Sequence, residues 1–284
     1  MNENKQTTVT SGQYRFQITN NTLLSRTNAE IYGRKFTIGS SDPDCVEISI
    51  INENNNPLDA RMRFLHNTGQ ECSISNDDMY NMIKTLLDYV YVQMPTLTHI
   101  NFDDKTHIDC AAEDAIPLYY FSIVFNGQTW YEKYFNAKQN NQLRHGQYRT
   151  RIAEFLYDHE YKTHIQFDRF VALFNKREEE MVELVEYYNH ANNFNDFFQS
   201  IPEQDRCRLV GPWIQQFMKY ILSDVFYSED WIIHFPLEIT GENNETRKYY
   251  YPEDMNITNN FQSKNICLSP DEIYTSEHCL SLFF

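Results

Sequence analysis

Two strand-forming runs on either side of an asparagine-rich turn constrain this chain more than any other feature. Residues 45–51, CVEISII, alternate in polarity and are rich in β-branched side chains, which predicts a strand. Residues 54–57, NNNP, follow and are typical of a tight turn. Residues 60–65, ARMRFL, alternate again and predict the partner strand. The chain is therefore expected to build a sheet around this pair.

A helix is predicted directly after this pair of strands. Ser75 suits the N-cap position, and Asp78 three residues later completes a capping box. Apolar side chains then recur at helical spacing, and the helix must end before Pro95. Residues 75–92 are therefore the predicted helix.

Shorter signals complete the first half of the chain. Strands are predicted for residues 14–19, 35–38 and 98–102. Residues 117–135 predict either one helix or two short helices around Gly127. Strands and helices therefore alternate throughout this half.

The chain changes character near residue 140. Helices dominate from there, and amphipathic helices are predicted for residues 167–188 and 212–226, because each carries one apolar stripe. The segment from residue 239 onward shows only weak strand signals.

These signals predict the fold class α+β, with a mixed sheet and flanking helices followed by a mainly helical C-terminal part. We predict a first domain at residues 1–140, a helical domain at residues 141–238 and an irregular tail at residues 239–284. The tail is expected to pack on the rest of the chain. No internal repeat and no low-complexity linker marks these boundaries.

The charge balance limits the classes of partner. The chain has 24 Lys and Arg against 40 Asp and Glu, a formal net charge of −16. Such a field repels a phosphate backbone, so nucleic acid is not expected as a direct ligand, and a basic protein partner is favoured. No apolar run approaches the ~18 residues that span a bilayer, so no membrane contact is expected.

The six cysteines, at positions 45, 72, 110, 207, 267 and 279, show no CxxC pair and no zinc-site spacing. The N-terminus is polar and lacks an apolar signal segment. Together these features predict reduced thiols, no metal and a cytoplasmic location. Cys72 and Cys110 are expected to be buried, unreactive thiols.

A short motif near the end of the first half points to a known family. Residues 130–135, WYEKYF, are similar to the F-Y-E-K-x-G-F signature that the last helix of GNAT N-acetyltransferases often carries. The order of the predicted elements also resembles the middle of that fold. There, two antiparallel strands lead to a cofactor-facing helix, a strand and a helix. Residues 14–138 therefore resemble a GNAT domain, which implies a GNAT-like mixed sheet.

This resemblance implies acetyl-CoA as the cofactor and a set of site residues. In GNAT enzymes the loop before the cofactor helix holds the pyrophosphate on backbone N–H groups. The matching cofactor positions, within residues 67–78, are Gly69, Gln70, Ser73 and Ser75. Tyr131 matches the catalytic acid, and Glu47 on the first long strand is the candidate base.

Two carboxylates argue against a working cofactor loop. The loop keeps one of the family's glycines, Gly69, and it places Asp77 and Asp78 in the first helical turn. Their charges stabilise a helix dipole by about 0.3–1 kcal/mol, but they repel a pyrophosphate. An ordinary capped helix is therefore favoured over a cofactor site. Tyr131 is then expected to be a packed aromatic residue, and Glu47 an exposed strand carboxylate.

A second resemblance concerns the origin of the chain. Residues 99–110, HINFDDKTHIDC, and residues 116–137 look like stretches in uncharacterised proteins of large cytoplasmic DNA viruses. The richness in Asn, Tyr, Ile, Lys and Phe agrees, since it is typical of AT-rich genomes. The resemblance implies a location in the host cytoplasm, a viral factory or the virion.

These observations predict a non-catalytic protein that uses a GNAT-like fold for protein–protein interaction or as a structural component, without a cofactor. The alternative is an active acetyl-CoA-dependent N-acetyltransferase that acts on a basic acceptor. A third hypothesis, an RNA- or cap-binding module built on stacked aromatic rings, conflicts with the net charge of −16. The sequence leaves the identity of the partner and the oligomeric state open.

Overall fold

A largely antiparallel sheet organises the chain. The computed structural model describes residues 4–11, 14–24, 31–39, 45–53, 56–64, 76–108, 110, 116–173, 181–240, 246–248 and 256–258. The strands are β1 (Asn4–Ser11), β2 (Tyr14–Leu24), β3 (Ile31–Gly39), β4 (Val46–Glu53), β5 (Asn56–Phe64), β6 (His99–Phe102), β7 (His107–Ile108), β8 (Ile116–Pro117), β9 (Lys138–Gln139), β10 (Trp231–His234), β11 (Glu238–Thr240), β12 (Thr246–Lys248) and β13 (Asn256–Thr258). Nine of them form one sheet in the order β13-β1-β2-β3-β4-β5-β6-β10-β9.

Helices flank this sheet and make up most of the described residues between 142 and 240. They are α1 (Asn76–Gln93), α2 (Leu118–Asn126), α3 (Trp130–Phe135), α4 (Gln142–Tyr157), α5 (His159–Thr163), α6 (Phe167–Ala172), α7 (Val182–His190), α8 (Phe194–Ser200) and α9 (Arg206–Leu222). None of the helices among the described residues has the length and apolar character that crossing a bilayer requires. The predicted α+β class is confirmed.

The predicted strand pair forms the middle of an antiparallel meander. Ile48 of β4 lies opposite Met62 of β5 on one side and Phe36 of β3 on the other. All three side chains are at most 1% exposed, and they share one face because alternate residues of a strand point the same way. α1 covers this face with a buried stripe that includes Met82 and Leu86. Burial of apolar surface therefore holds the helix on the sheet.

α1 is also the crossover between two parallel strands. β6 runs parallel to β5, with Arg61 opposite Asn101 and Met62 opposite Phe102. β10 then pairs antiparallel with β6 and with β9, while β13 pairs with β1 at the other edge. The sheet therefore takes strands from all three segments that the sequence predicts as separate domains. That division into domains stays a prediction.

Aromatic rings fill the core between the helices of the second half. Phe170 of α6 contacts the rings of Tyr188, Trp213 and Phe217 at centroid distances of 4.8, 5.2 and 5.2 Å. Phe194 of α8 lies 5.6 Å from Phe217. Tilted and edge-on contacts of this kind add to the burial of large apolar surfaces.

Gly127 separates two short helices, which confirms one of the two alternatives for residues 117–135. It adopts a left-handed conformation, with φ of 71°, directly after α2. Its N–H donates to the backbone oxygen of Ile123 and so caps the end of that helix.

Two helices of the second half differ from their predicted bounds. α6 ends at Ala172 and α7 begins at Val182, so the single helix predicted for residues 167–188 is wrong. Both pieces bury apolar side chains in one core, and periodicity alone does not reveal a break between them.

α9 begins at Arg206, and Pro212 lies inside it rather than at its start.

The cysteines differ from the expectation of reduced thiols. Cys110 and Cys207 form a disulfide, with Cα atoms 5.2 Å apart. Cys45 is disulfide-bonded as well. The expectation is therefore wrong for every cysteine in the described part of the chain. Cys110 and Cys207 are 97 residues apart in sequence, so only the fold brings them together.

Gly33 of β3 provides a test of the packing within the meander. A Cβ atom at this position would lie 2.3 Å from the backbone oxygen of Ile50. We expect Gly33→Ala to lower the free energy of unfolding by about 1–3 kcal/mol, because the backbone of β4 must move. Urea unfolding followed by circular dichroism measures the change.

Gly146→Ala is the matched control. Gly146 is exposed within α4, and nothing lies within 4 Å of a Cβ atom built there. Alanine should raise the free energy of unfolding by about 0.5–1 kcal/mol through its helix propensity. Equal destabilisation by the two substitutions would contradict the close approach of β3 to β4.

Candidate functional site

Tyr131, the candidate acid, lies inside the core at the end of β6. It is 1% exposed, and its ring lies 4.6 Å from that of Phe102 and 5.0 Å from that of Trp130. Burial, together with the negative charge of Asp104, raises the pKa of Tyr131 well above its usual value. The phenol therefore stays protonated in the folded protein. The expectation of a packed aromatic residue is confirmed.

Glu47, the candidate base, lies on β4 among cations. It is 1% exposed, so the expectation of an exposed strand carboxylate is wrong. Lys35 forms an ion pair with it, Arg63 Nη2 lies 2.6 Å from its Oε1, and Ser49 Oγ donates to it over 2.8 Å. Burial opposes ionisation of Glu47, but the hydrogen bonds from Lys35, Ser49 and Arg63 outweigh it and lower the pKa.

The predicted cofactor residues precede α1. Gly69, Gln70, Ser73 and Ser75 all lie outside the described residues. The backbone of Asp77 and Asp78 is in the first turn of α1, as predicted. The structure therefore describes the helix that follows the predicted cofactor loop, but not the loop.

Aromatic side chains of α1 and α3 contact each other. The ring of Tyr80 lies 5.2 Å from that of Tyr134 and 5.6 Å from that of Phe135. Trp130 lies 5.0 Å from Tyr134 on the same short helix. The two helices that flank β6 are therefore joined by ring contacts near the start of α1.

Asp104 is a buried carboxylate that the sequence analysis did not single out. It follows β6, is 2% exposed, and accepts hydrogen bonds from the hydroxyl and the N–H of Thr106 at 2.5 and 3.3 Å. Its own N–H donates to the backbone oxygen of Ser228 over 2.6 Å. Burial raises the pKa of Asp104 to about 6, although the hydrogen bonds from Thr106 oppose this and Glu132 adds to it.

Glu132 is the centre of a second buried network. Its carboxylate accepts from the N–H of Thr129 and from the hydroxyl of Tyr148, at 2.7 and 2.8 Å, and pairs with Arg149 at 3.4 Å. The hydroxyl of Thr129 accepts from the N–H of Glu132 in return, which completes a capping box at the start of α3. Burial raises the pKa of Glu132 in spite of these partners. Its role in the motif WYEKYF is therefore to cap the helix.

His145 lies beside this network on α4. Burial and the positive charges of Arg149 and Lys138 lower the pKa of His145 to about 4. The ring is therefore neutral at physiological pH, and its Nδ1 accepts a hydrogen bond from the N–H of Gln139 over 3.4 Å.

The three arginines of α4, Arg144, Arg149 and Arg151, all make contacts within the chain. Arg149 donates to the oxygen of Gly127 over 2.8 Å, at the end of α2. Arg151 donates to the oxygen of Ile221 over 3.0 Å, at the end of α9. Arg144 lies over the ring of Tyr227, 4.2 Å from its centroid. Cations at the carbonyl end of a helix stabilise its dipole, so two of these arginines tie α4 to its neighbours.

The structure therefore brings Tyr131, Asp104, Glu132 and Tyr148 together around the end of β6, and it holds Glu47 in a separate group of ion pairs. One sequence signal for Glu132 existed, since Thr129 and Glu132 have capping-box spacing. No local pattern marks Asp104. Within the described residues, no group of three or more His, Cys, Asp or Glu side chains could hold a metal ion.

Comparisons with protein-family models, with curated proteins and with solved structures found no match. No family is therefore assigned to the chain, and its resemblance to GNAT domains stays a prediction.

Asp104 makes the stability of the fold depend on pH. Because its pKa is raised in the folded state, its protonated form contributes stability at low pH that is lost as the pH rises through about 6. Asp104→Asn keeps a neutral side chain throughout. We expect the stability of the variant relative to wild type to increase by up to roughly 3 kcal/mol between about pH 4 and pH 7. Urea unfolding at both pH values measures the difference.

Asp103→Asn is the matched control, because Asp103 is partly exposed and pairs with Lys105 at 3.3 Å. The stability of this variant relative to wild type should change little over the same pH range. If the stabilities of Asp103→Asn and Asp104→Asn relative to wild type changed equally with pH, Asp104 would not be the cause of the pH-dependent stability.

Proposed function

We propose that this chain is a non-catalytic protein of a large DNA virus that uses a GNAT-like fold to bind a protein partner. The observation that carries the proposal is the surroundings of the two candidate catalytic side chains. Tyr131 is enclosed in the core, and Glu47 is ion-paired with Lys35 and Arg63. An acid must reach its substrate, and a base must have an accessible lone pair, so both residues suit a structural role.

The GNAT-like part of the proposal rests on the order of elements. β4 and β5 form an antiparallel pair, α1 follows as a crossover, and β6 comes next, with the short strands β7 and β8 before α2. This is the order that the sequence resemblance implies. The viral origin and a location in the host cytoplasm, viral factory or virion rest on the sequence resemblance alone.

The aromatic contacts between α1 and α3 further support a protein without a cofactor. Tyr80, near the start of α1, packs on Tyr134 and Phe135 of α3. In GNAT enzymes the pyrophosphate lies at the start of the corresponding helix. Rings that join the two helices there leave less room for a cofactor.

An exposed surface at the end of α4 suits a basic protein partner. Tyr157 is 55% exposed and is surrounded in sequence by the exposed acidic residues Glu154, Asp158 and Glu160. Tyrosine is enriched in interface hot spots, and carboxylates around it complement a positively charged surface. The partner surface that we propose, called the Tyr157 surface, consists of these four residues.

A second candidate function is acetyl-CoA-dependent N-acetylation of a basic acceptor. One observation favours it: the pairing of β6 with β5 covers two residue pairs, and the chain after Phe102 hydrogen-bonds through the N–H of Asp104 to the oxygen of Ser228. The parallel contact between the two strands is therefore short, and β6 ends at Phe102. In GNAT proteins a gap between the corresponding strands admits the pantetheine arm.

A thermal-shift measurement with acetyl-CoA separates the two candidates. We expect about 1 mM acetyl-CoA to leave the melting temperature unchanged, whereas a ligand at about 100 times its Kd stabilises a protein by about 2.7 kcal/mol. An increase in melting temperature that acetyl-CoA produces and free acetate does not would support the enzyme instead. In that case Tyr131→Phe should reduce acetyl transfer to a lysine-rich peptide.

The Tyr157 surface is tested by capture of the partner with the full chain as bait. Tyr157→Ala and Glu154→Lys should each reduce capture by on the order of tenfold, because a central tyrosine and a complementary charge are lost. Quantitative mass spectrometry of the captured proteins measures the effect. Both residues are exposed, so the melting temperature should stay near that of wild type.

Val182→Ala is the control for this experiment, since Val182 is 66% exposed on α7, away from α4 in sequence. It should leave capture unchanged. Capture that is the same for all three variants and for wild type would rule out the Tyr157 surface as the interface.

A further inference from the structure

All three cysteines in the described part of the chain are oxidised. Cys110 is joined to Cys207, and Cys45 is also in a disulfide. A disulfide requires a reaction partner that accepts the two electrons of the thiols. Reducing compartments rarely supply such a partner, so the oxidised state itself points to a maturation step.

The two bonded cysteines differ in their access to solvent. Cys110 lies between β7 and β8 and is 8% exposed. α9 packs closely over it, since a Cβ atom on Gly211 would lie 3.3 Å from the Cβ of Cys110. Cys207 is half-buried, in the first turn of α9. A thiolate from solution that attacks the disulfide therefore reaches the sulfur of Cys207 more readily than that of Cys110.

The surroundings of Cys207 also favour its reactive form. The first turn of a helix stabilises a thiolate, and Cys207 is the second residue of α9. Cys110 lies among apolar groups such as Ile116, whose Cδ1 would contact the same Cβ atom on Gly211 at 3.2 Å. An apolar environment favours the protonated thiol.

We propose that this chain is a substrate of a thiol–disulfide exchange reaction in which Cys207 is the entry cysteine and Cys110 the resolving cysteine. The Cys207 thiolate attacks a disulfide of the donor, forms a mixed disulfide and expels one donor thiolate. Cys110 loses its proton to solvent and attacks the sulfur of Cys207, which expels the second donor thiolate. The two cysteines lose two electrons, and the donor disulfide gains them.

This step has a consequence for the second half of the fold. The bond ties the first turn of α9 to the segment between β7 and β8, and so closes a loop of 97 residues. Long loops lose much conformational entropy in the unfolded state when they are closed, so the oxidised chain is the more stable form. The chain must therefore receive its disulfide before it functions. The donor is a thiol oxidase, or a carrier protein whose disulfide a thiol oxidase restores.

The order of the two cysteines is tested with the full chain, reduced and then treated with oxidised glutathione under native conditions. Cys110→Ser should accumulate a glutathione adduct at Cys207, because the resolving thiol is absent. Cys207→Ser should form an adduct at Cys110 more slowly, on the order of tenfold. Peptide mapping after alkylation measures both rates. Equal rates, or faster modification of Cys110, would overturn the assignment.

Wild-type protein provides a second measurement that does not depend on the folding of the variants. When the oxidised chain is treated briefly with reduced glutathione and trapped with N-ethylmaleimide, the first adduct should be on Cys207. The maleimide should then be on Cys110. The reverse distribution would contradict entry at Cys207, and an oxidised chain without a Cys110–Cys207 peptide would exclude the bond itself.

The need for a donor is tested by expression in a reducing cytoplasm with and without a co-expressed thiol oxidase, with acid quenching at lysis. The Cys110–Cys207 peptide should form only with the oxidase, and the melting temperature of that protein should be several degrees higher. Complete oxidation in both samples would overturn the requirement for a dedicated donor.

Discussion

The short parallel contact between β5 and β6 joins the antiparallel meander to the part of the sheet that β6, β10 and β9 form. Met62 and Phe102 lie opposite each other there, and each belongs to a different part of the structure. Met62 is in the antiparallel meander that α1 covers, whereas Phe102 pairs with Trp231 of β10 and packs under Tyr131 of α3. The positions of the helices after β6 depend on this contact, because α3 packs on Phe102, while α4 contacts α3 and β9. α1 is what makes a parallel contact possible, since parallel strands need a crossover.

Buried carboxylates in and around this sheet are stabilised in three different ways. Glu47 keeps its charge because two cations and a hydroxyl surround it. Asp104 accepts hydrogen bonds from the hydroxyl and the N–H of Thr106. Burial outweighs these hydrogen bonds and raises the pKa of Asp104. Glu132 accepts from a helix N-terminus and from Tyr148. A buried charge without such partners would be strongly destabilising. The pairing of Glu47 with two cations is part of the basis for the proposal that the chain does not catalyse acetyl transfer.

Local features of this fold could be predicted well from the sequence, whereas long-range contacts could not. The strand pair around residues 54–57, the helix before Pro95 and the break at Gly127 all follow from alternation, helical periodicity and turn chemistry. Alternation places Glu47 on one face of β4, but it does not show that Lys35 and Arg63 lie on the same face of neighbouring strands. The packed environment of Tyr131 was among the predicted alternatives because aromatic residues surround it in sequence.

By itself, the sequence determined the α+β class, the order of the elements from β2 to β6 and the aromatic composition of the helical core, because these depend on residues close to one another along the chain. It did not reveal the strands β1, β7, β8 and β9. Only the tertiary structure decided that β10 lies between β6 and β9, that Asp104 is buried beside Tyr131, and that Cys110 meets Cys207. Each of these depends on segments that are far apart in sequence. Their proximity follows from how the layers pack, and no local pattern of side chains encodes it.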